Sequence, residues 1–208
     1  MSNYCAEKIK VAVLVSGGGT NLQALIDFER AGKLKSGNIV KVISSKEGVF
    51  ALERAKKAGI DTAVVQKKGK SQSEFESGII SELERSGAQV IVLAGFMSIL
   101  SKDFTDRYVD RIINVHPALI PSFCGEGFYG LHVHEKALEY GVKVTGATVH
   151  FVNEIADGGR IIMQKAVAVK DGDTPEILQK RVMEKAEWKI LPASLEKVCK
   201  NLIKECKQ

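Results

Sequence analysis

Apolar positions along this chain follow two periods, and the two alternate regularly through the first half. Ile9–Val15 is a near-continuous apolar run, as expected of a strand covered on both faces. After Ser16-Gly17-Gly18-Gly19-Thr20-Asn21 come Leu22, Leu25, Ile26 and Phe28 at helical spacing. The same reading gives a strand over 39–44, a helix over 50–58 closed by Gly59, and a short strand over 62–65. A helix follows over 71–86, with Phe75, Ile79, Ile80 and Leu83 as its buried stripe and Gly87 as its stop, and then a strand over 90–93. Strands that alternate with helices imply a parallel, right-handed, doubly wound sheet.

The second half changes pattern. In 111–117, Ile112, Ile113 and Val115 are β-branched core residues of a strand, and Pro117 ends its pairing. A loop rich in Pro, Gly and aromatics spans 118–130 around Cys124, and a helix over 132–140 ends at Gly141. Residues 143–153 alternate as a strand, 155–159 turn, and 161–169 form another strand. With no helix between them, these two strands suggest an antiparallel or mixed extension. Thr174 and Pro175 start a helix that runs to about 189, and a terminal helix follows Pro192. The expected fold is therefore α/β: a single doubly wound, mostly parallel, Rossmann-like sheet with an antiparallel carboxyl-terminal extension. No repeat or linker divides residues 1–208, so one domain is expected.

Composition narrows the function classes. The 208 residues are 45% hydrophobic and 26% charged, as in ordinary globular proteins. No apolar run is long enough to span a bilayer, and residues 1–10 lack the apolar core of a signal peptide, so no membrane partner and a cytoplasmic location are expected. The net charge of +5 is spread along helices, apart from Lys67, Lys68 and Lys70, without a basic-aromatic motif. That pattern suits anionic small molecules and excludes nucleic acid as the expected partner. Cys5, Cys124, Cys199 and Cys206 have no zinc-ligand spacing, so neither a metal site nor a disulfide framework is expected.

Four stretches carry candidate chemistry. A strand, a glycine turn and a helix start make an anion site, because small residues let backbone N–H groups and the helix dipole approach a phosphate. No lysine follows Gly19 and no glycine stands at 22, so ATP and dinucleotide patterns are absent and a phosphate monoester fits better; a tight turn without ligand is the alternative. Ala94-Gly95-Phe96-Met97-Ser98-Ile99-Leu100 is either helix-facing core or the apolar wall of a cleft. Asn114 and His116, two residues apart, leave one face of a strand at its carboxyl end, where open α/β sheets bind ligands. Asp157 lies in an Asp-Gly-Gly turn, most often a structural feature. Beside His116 it would hold the imidazole protonated and raise its pKa, an arrangement that stabilises an oxyanion and returns a proton to a leaving nitrogen.

Ser16–Leu22, Leu93–Met97, Ile113–Pro117, Thr145–Val152 and Ala156–Gly159 together resemble the phosphoribosylglycinamide formyltransferase (GAR transformylase) family of folate-dependent formyltransferases. The resemblance covers nearly the whole chain. It implies formyl transfer from the co-substrate 10-formyltetrahydrofolate to the amine of glycinamide ribonucleotide in purine biosynthesis, with no metal. Asn114, His116 and Asp157 match the catalytic trio. Gly18, Gly19, Thr20, Asn21 and Glu187 are implied contacts of the ribonucleotide. Phe96, Met97, Ser98, Ile99 and Leu100, with Asn114, His150, Asn153, Ile155, Ala156 and Asp157, are implied contacts of the folate. On this reading residues 1–110 form a phosphate-binding half and 111–208 a catalytic and folate-binding half, in a monomer or weak homodimer. The sequence departs from the family pattern in a longer loop over 122–130, in Ser98 where arginine is common, in Trp188 where histidine is common, and in Gln72 where a basic residue often sits. The rival members, a tRNA formyltransferase with an added RNA-binding domain and a formyltetrahydrofolate hydrolase with a regulatory domain, need segments for which this chain is not expected to have room.

Overall fold

The structure, a computed structural model, describes residues 8–207, so the sequence reading of residues 1–7, Cys5 included, lies outside it. Seven strands form one sheet in the order β3-β2-β1-β4-β5-β6-β7. β1 (Ile9–Val15), β2 (Gly37–Ser44), β3 (Asp61–Val64), β4 (Val90–Leu93) and β5 (Ile112–His116) pair in parallel. β6 (Val144–Phe151) and β7 (Ile161–Ala168) add on as antiparallel strands.

The period of two in β1 sorts its side chains between two cores. Ile9, Val11, Val13 and Val15 face one apolar cluster, while Ala12 and Leu14 face the other. The first cluster is closed by α1 (Thr20–Arg30), α2 (Phe50–Lys57), α6 (Pro175–Val182) and α7 (Trp188–Glu205), and the second by α3 (Gln72–Ser86) and α4 (Lys102–Arg107). α3 starts with a capping box, in which Ser71 accepts from the Glu74 N–H and Glu74 returns the bond, and it stops at Gly87. α5 (Leu131–Tyr140) ends at Gly141. Among the described residues no helix is long and apolar enough to cross a membrane.

Two elements differ from expectation. α4 is six residues long, too short for a periodic stripe, and its local sign is Ser101 accepting from the Phe104 N–H. The helix that begins at Pro175 does not run unbroken to 189. It gives way to a π-helical turn, Met183–Glu187, and Pro192 lies inside α7 rather than before a new helix. A proline there forfeits only a bond to the Trp188 carbonyl, at a junction where the hydrogen-bond register is already changing.

The β6–β7 turn is drawn in tightly. Asn153 Oδ1 accepts from the Ile155 N–H at 3.1 Å, the Gly158 N–H closes a turn on the Ile155 carbonyl at 3.0 Å, and Asp157 sits within it at φ 56°. A Cβ on Gly159 would stand 1.8 Å from the Phe151 carbonyl oxygen. Gly159→Ala is therefore expected to lower stability by about 1–3 kcal/mol and to displace Asp157; a urea midpoint within error of the parent's would contradict this packing.

Candidate active site

The glycine turn leaves β1 and enters α1 with Gly19 as N-cap, at φ 71°, and with no side chain capping the helix. Only glycine fits here, because a Cβ would lie 2.7 Å from that of Ala51. The start of α2 grips the turn from behind: the Ala51 N–H meets the Gly17 carbonyl at 3.2 Å, and Arg54 Nε donates to the Gly18 carbonyl at 2.9 Å. A Cβ on Gly17 or Gly18 would meet nothing within 4 Å, so the other side of the turn is open. An uncapped helix start facing open space is an anion site in form. Sequence reasoning missed Arg54, whose role is visible only once α2 is placed beside the turn.

Asn21 and Glu187, 166 residues apart, meet here: Asn21 Nδ2 donates to Glu187 Oε2 at 2.8 Å. The π-helical turn presents Glu187. Burial pushes this carboxyl upward more than the Asn21 bond pulls it down, so its pKa lies above the ordinary range. Asn21 Oδ1 is buried with no partner.

The segment after β4 divides between the two readings given to it. Phe96 stacks on Phe75 at 6.3 Å and Leu100 is buried in the second core, so these two side chains face inward. Met97 and Ile99 are 55% and 67% exposed and form the apolar wall, with Ser98 between them. The wall is tied to the glycine turn, since the Met97 N–H donates to Ser16 Oγ at 3.0 Å and Ser16 Oγ lies 2.7 Å from Ser45 Oγ.

At the carboxyl end of β5, strand register assembles the third group. Antiparallel pairing sets His150 opposite Asn114 and Thr148 opposite His116. His150 Nδ1–H donates to the Phe151 carbonyl at 2.7 Å, which leaves Nε2 to accept from the Asn114 amide at 3.3 Å. Asp157 lies between the imidazoles, with Oδ2 3.2 Å from His116 Nδ1 and Oδ1 3.4 Å from His150 Nε2. The 118–130 loop closes over the pair: His116 Nε2–H donates to the Phe123 carbonyl at 2.8 Å, and the Gly125 N–H donates to Asp157 Oδ2 at 2.9 Å. Thr148 pins that loop by donating to the Ala118 carbonyl at 2.7 Å and accepting from the Ile120 N–H at 3.1 Å. Asn114, His116 and Asp157 are thus brought together as expected, and His150 joins them as the residue that orients the Asn114 amide.

The expected direction of the His116 pKa is overturned. Burial pushes it down by more than Asp157 and the Phe123 carbonyl pull it up, so the net displacement is below 6.5. Burial likewise raises Asp157, but the neighbouring imidazoles of His150 and His116 and the Gly125 N–H together hold it below the usual carboxylate range. Among the described residues, no cluster of three or more His, Cys, Asp or Glu side chains could hold a metal ion. A cavity of about 500 Å³ borders Thr20, Arg54 and Trp188, but none of the trio lines it.

The formyl transferase family profile matches residues 9–195, a span that contains every candidate named above. The chain belongs to the formyl transferase family. The phosphoribosylglycinamide formyltransferase of Escherichia coli (strain K12) is 41% identical over 175 residues, 84% of this chain and 80% of that protein. The human trifunctional purine biosynthetic protein adenosine-3 is 48% identical over 198 residues, which is 95% of this chain but 19% of that protein. The chain thus spans about a fifth of the length of the trifunctional relatives it matches. A solved structure, glycinamide ribonucleotide transformylase 1 from Symbiobacterium toebii, superposes with a TM-score of 0.87 at 37% identity, covering 94% of this chain and 90% of that one.

This formyl transferase carries one more buried imidazole, His134 on α5. Neither of its ring nitrogens has a hydrogen-bond partner, and burial, then the nearby His116, push its pKa down to about 4. A histidine whose folded pKa lies below its unfolded 6.5 contributes its full share of stability above 6.5 and loses it as pH falls towards 4. The loss comes to about 3 kcal/mol near pH 4. Denaturant titrations of His134→Leu are expected to show a shallower acid-side decline than the parent by about that amount; parallel declines would contradict a neutral buried His134.

Proposed function

We propose that this chain transfers the formyl group of 10-formyltetrahydrofolate to the amine of glycinamide ribonucleotide, forming formylglycinamide ribonucleotide and tetrahydrofolate. The observation that carries the reading is the Asp157 carboxylate held between His116 and His150, beside the Asn114 amide, at the end of β5. The names and coverage of the Escherichia coli and Symbiobacterium toebii relatives support the choice of acceptor. In this reading residues 1–110 hold the ribonucleotide phosphate on Gly18, Gly19 and Thr20, and residues 111–208 supply the chemistry. Asn21 and Glu187 bridge the two parts, facing the substrate's sugar and amine end.

The geometry suggests a proton route. The Phe123 carbonyl commits Nε2–H, so Nδ1 is the ring position that takes and gives protons. The amine attacks the formyl carbon, a C–N bond forms, and the carbonyl electrons move onto oxygen. Neutral His116 accepts the proton that the amine nitrogen then sheds. Asp157 stabilises the resulting imidazolium, whose charge lies beside the oxyanion, and the second N–H of the Asn114 amide donates to the oxyanion. Collapse breaks the bond to the folate nitrogen, which receives the proton.

The test is formyl transfer to glycinamide ribonucleotide, with a water-only control for hydrolysis. Asn114→Ala, His116→Ala and Asp157→Ala are each expected to lose about 100- to 1000-fold in kcat while folate and ribonucleotide affinities stay within a few-fold. A folded variant with near-parental turnover removes that residue from the mechanism. Because neutral His116 is the working form, the acid limb of kcat/KM should fall below pH 6.5. Asp157→Asn removes an upward pull and should move the limb lower still; a limb that moves upward would contradict the route.

A further inference from the structure

The apolar wall after β4 is irregular chain, yet it holds Met97 and Ile99 out towards solvent. Exposed side chains of this size on an unsupported segment lose apolar area by collapsing inward, so something must hold the backbone in place. One face of α3 does this. Gln72, Phe75 and Glu76 stand at positions i, i+3 and i+4, and all three touch the segment. Phe75 stacks on Phe96. Gln72 Nε2 donates to the Ile99 carbonyl at 2.9 Å and to Glu76 Oε1 at 2.6 Å. Glu76, only 6% exposed, accepts from the Ser101 N–H and the Ser101 hydroxyl, both at 2.6 Å. A buried carboxylate with three donors, none of them a cation, is a fixed point rather than a surface charge. It anchors Ser101, the N-cap of α4, and through Gln72 it reaches Ile99.

We propose that Gln72 and Glu76 are positioning residues for folate binding, a carboxamide–carboxylate clamp that sets the backbone of 97–101 so that Met97 and Ile99 meet the pterin. Both amide hydrogens of Gln72 are spent inside the protein, so its contribution to the ligand is indirect. The inference rests on the folate reading of Met97 and Ile99 given above. It assigns to a neutral side chain, half-buried on the first turn of α3, the control of one substrate's affinity without a part in the chemistry.

Steady-state kinetics of Gln72→Ala and the near-isosteric Gln72→Met test it. Both are expected to raise KM for 10-formyltetrahydrofolate about tenfold, with kcat and the KM for glycinamide ribonucleotide within about twofold of the parent. Gln72→Glu, which turns a carboxylate towards the Ile99 carbonyl and Glu76, should raise it further. Calorimetric binding of tetrahydrofolate should weaken in the same order. A lowered Tm with unchanged folate KM and unchanged tetrahydrofolate affinity makes the clamp merely structural and overturns the proposal. A parent protein that binds tetrahydrofolate but transfers no formyl group overturns the proposed function alone, and the clamp is then judged by the binding series. A parent that binds no folate overturns both.

Discussion

The reversal of chain direction between β5 and β6 is the constraint on which the rest of the site depends. Four parallel pairings carry the sheet from β3 to β5, and each delivers its strand end to the same edge. Had β6 been parallel too, its carboxyl end would lie beside His116 and the following turn would hang outside the sheet. Running the other way, it brings His150 against Asn114 and Thr148 against His116. The chain then folds back through the 152–160 turn, whose strained Asp157 reaches both imidazoles. Asn114 and His116 on β5 and His150 on β6 thus share one register, and a slip of β6 by one residue would turn His150 to the opposite face from Asn114.

Burial and charge compete at every ionisable group in this region, and burial does not always win. It wins at His116, where the price of enclosing a cation exceeds what Asp157 returns. It loses at Asp157, which has two imidazoles and a backbone N–H in reach. It wins at Glu187, where the counterweight is the neutral Asn21 amide. A substrate amine, or a developing ammonium, is the kind of group that relieves both Glu187 and the His116–Asp157 pair.

Much of this was legible in the sequence because the local physics is self-contained. β1 and β4 have the expected bounds, since an unbroken run of branched apolar residues between turn residues has few other solutions. Ser71 with Glu74, and Thr174 with Pro175, are helix starts written in the chain itself. Asn114 and His116 share a face because a strand has a period of two. What was not legible depends on distant partners. Nothing near Glu187 announces a π-helical turn, and the sign of the His116 shift depends on how completely the 118–130 loop covers it, a quantity no local pattern records. The inward turn of Phe96 is set by Phe75 of α3, more than twenty positions earlier in the chain, and Leu100 is buried in the same core.

The two halves of the proposed reaction meet at Ser16. It closes β1, opens the glycine turn, and through its hydroxyl holds both Ser45 at the end of β2 and the Met97 N–H at the start of the apolar wall. β1 is also the strand at which the sheet reverses its order of addition, with β2 on one side and β4 on the other, the position where ligands enter such sheets. In the proposed reading, a phosphate on the glycine turn and a ring system on Met97 and Ile99 would rest on adjacent strand ends with a shared hydroxyl between them. The distance from one substrate to the other is set by the spacing of β1, β4 and β5, which the cores on both faces hold rigid, and the more adjustable contacts are left to the loops.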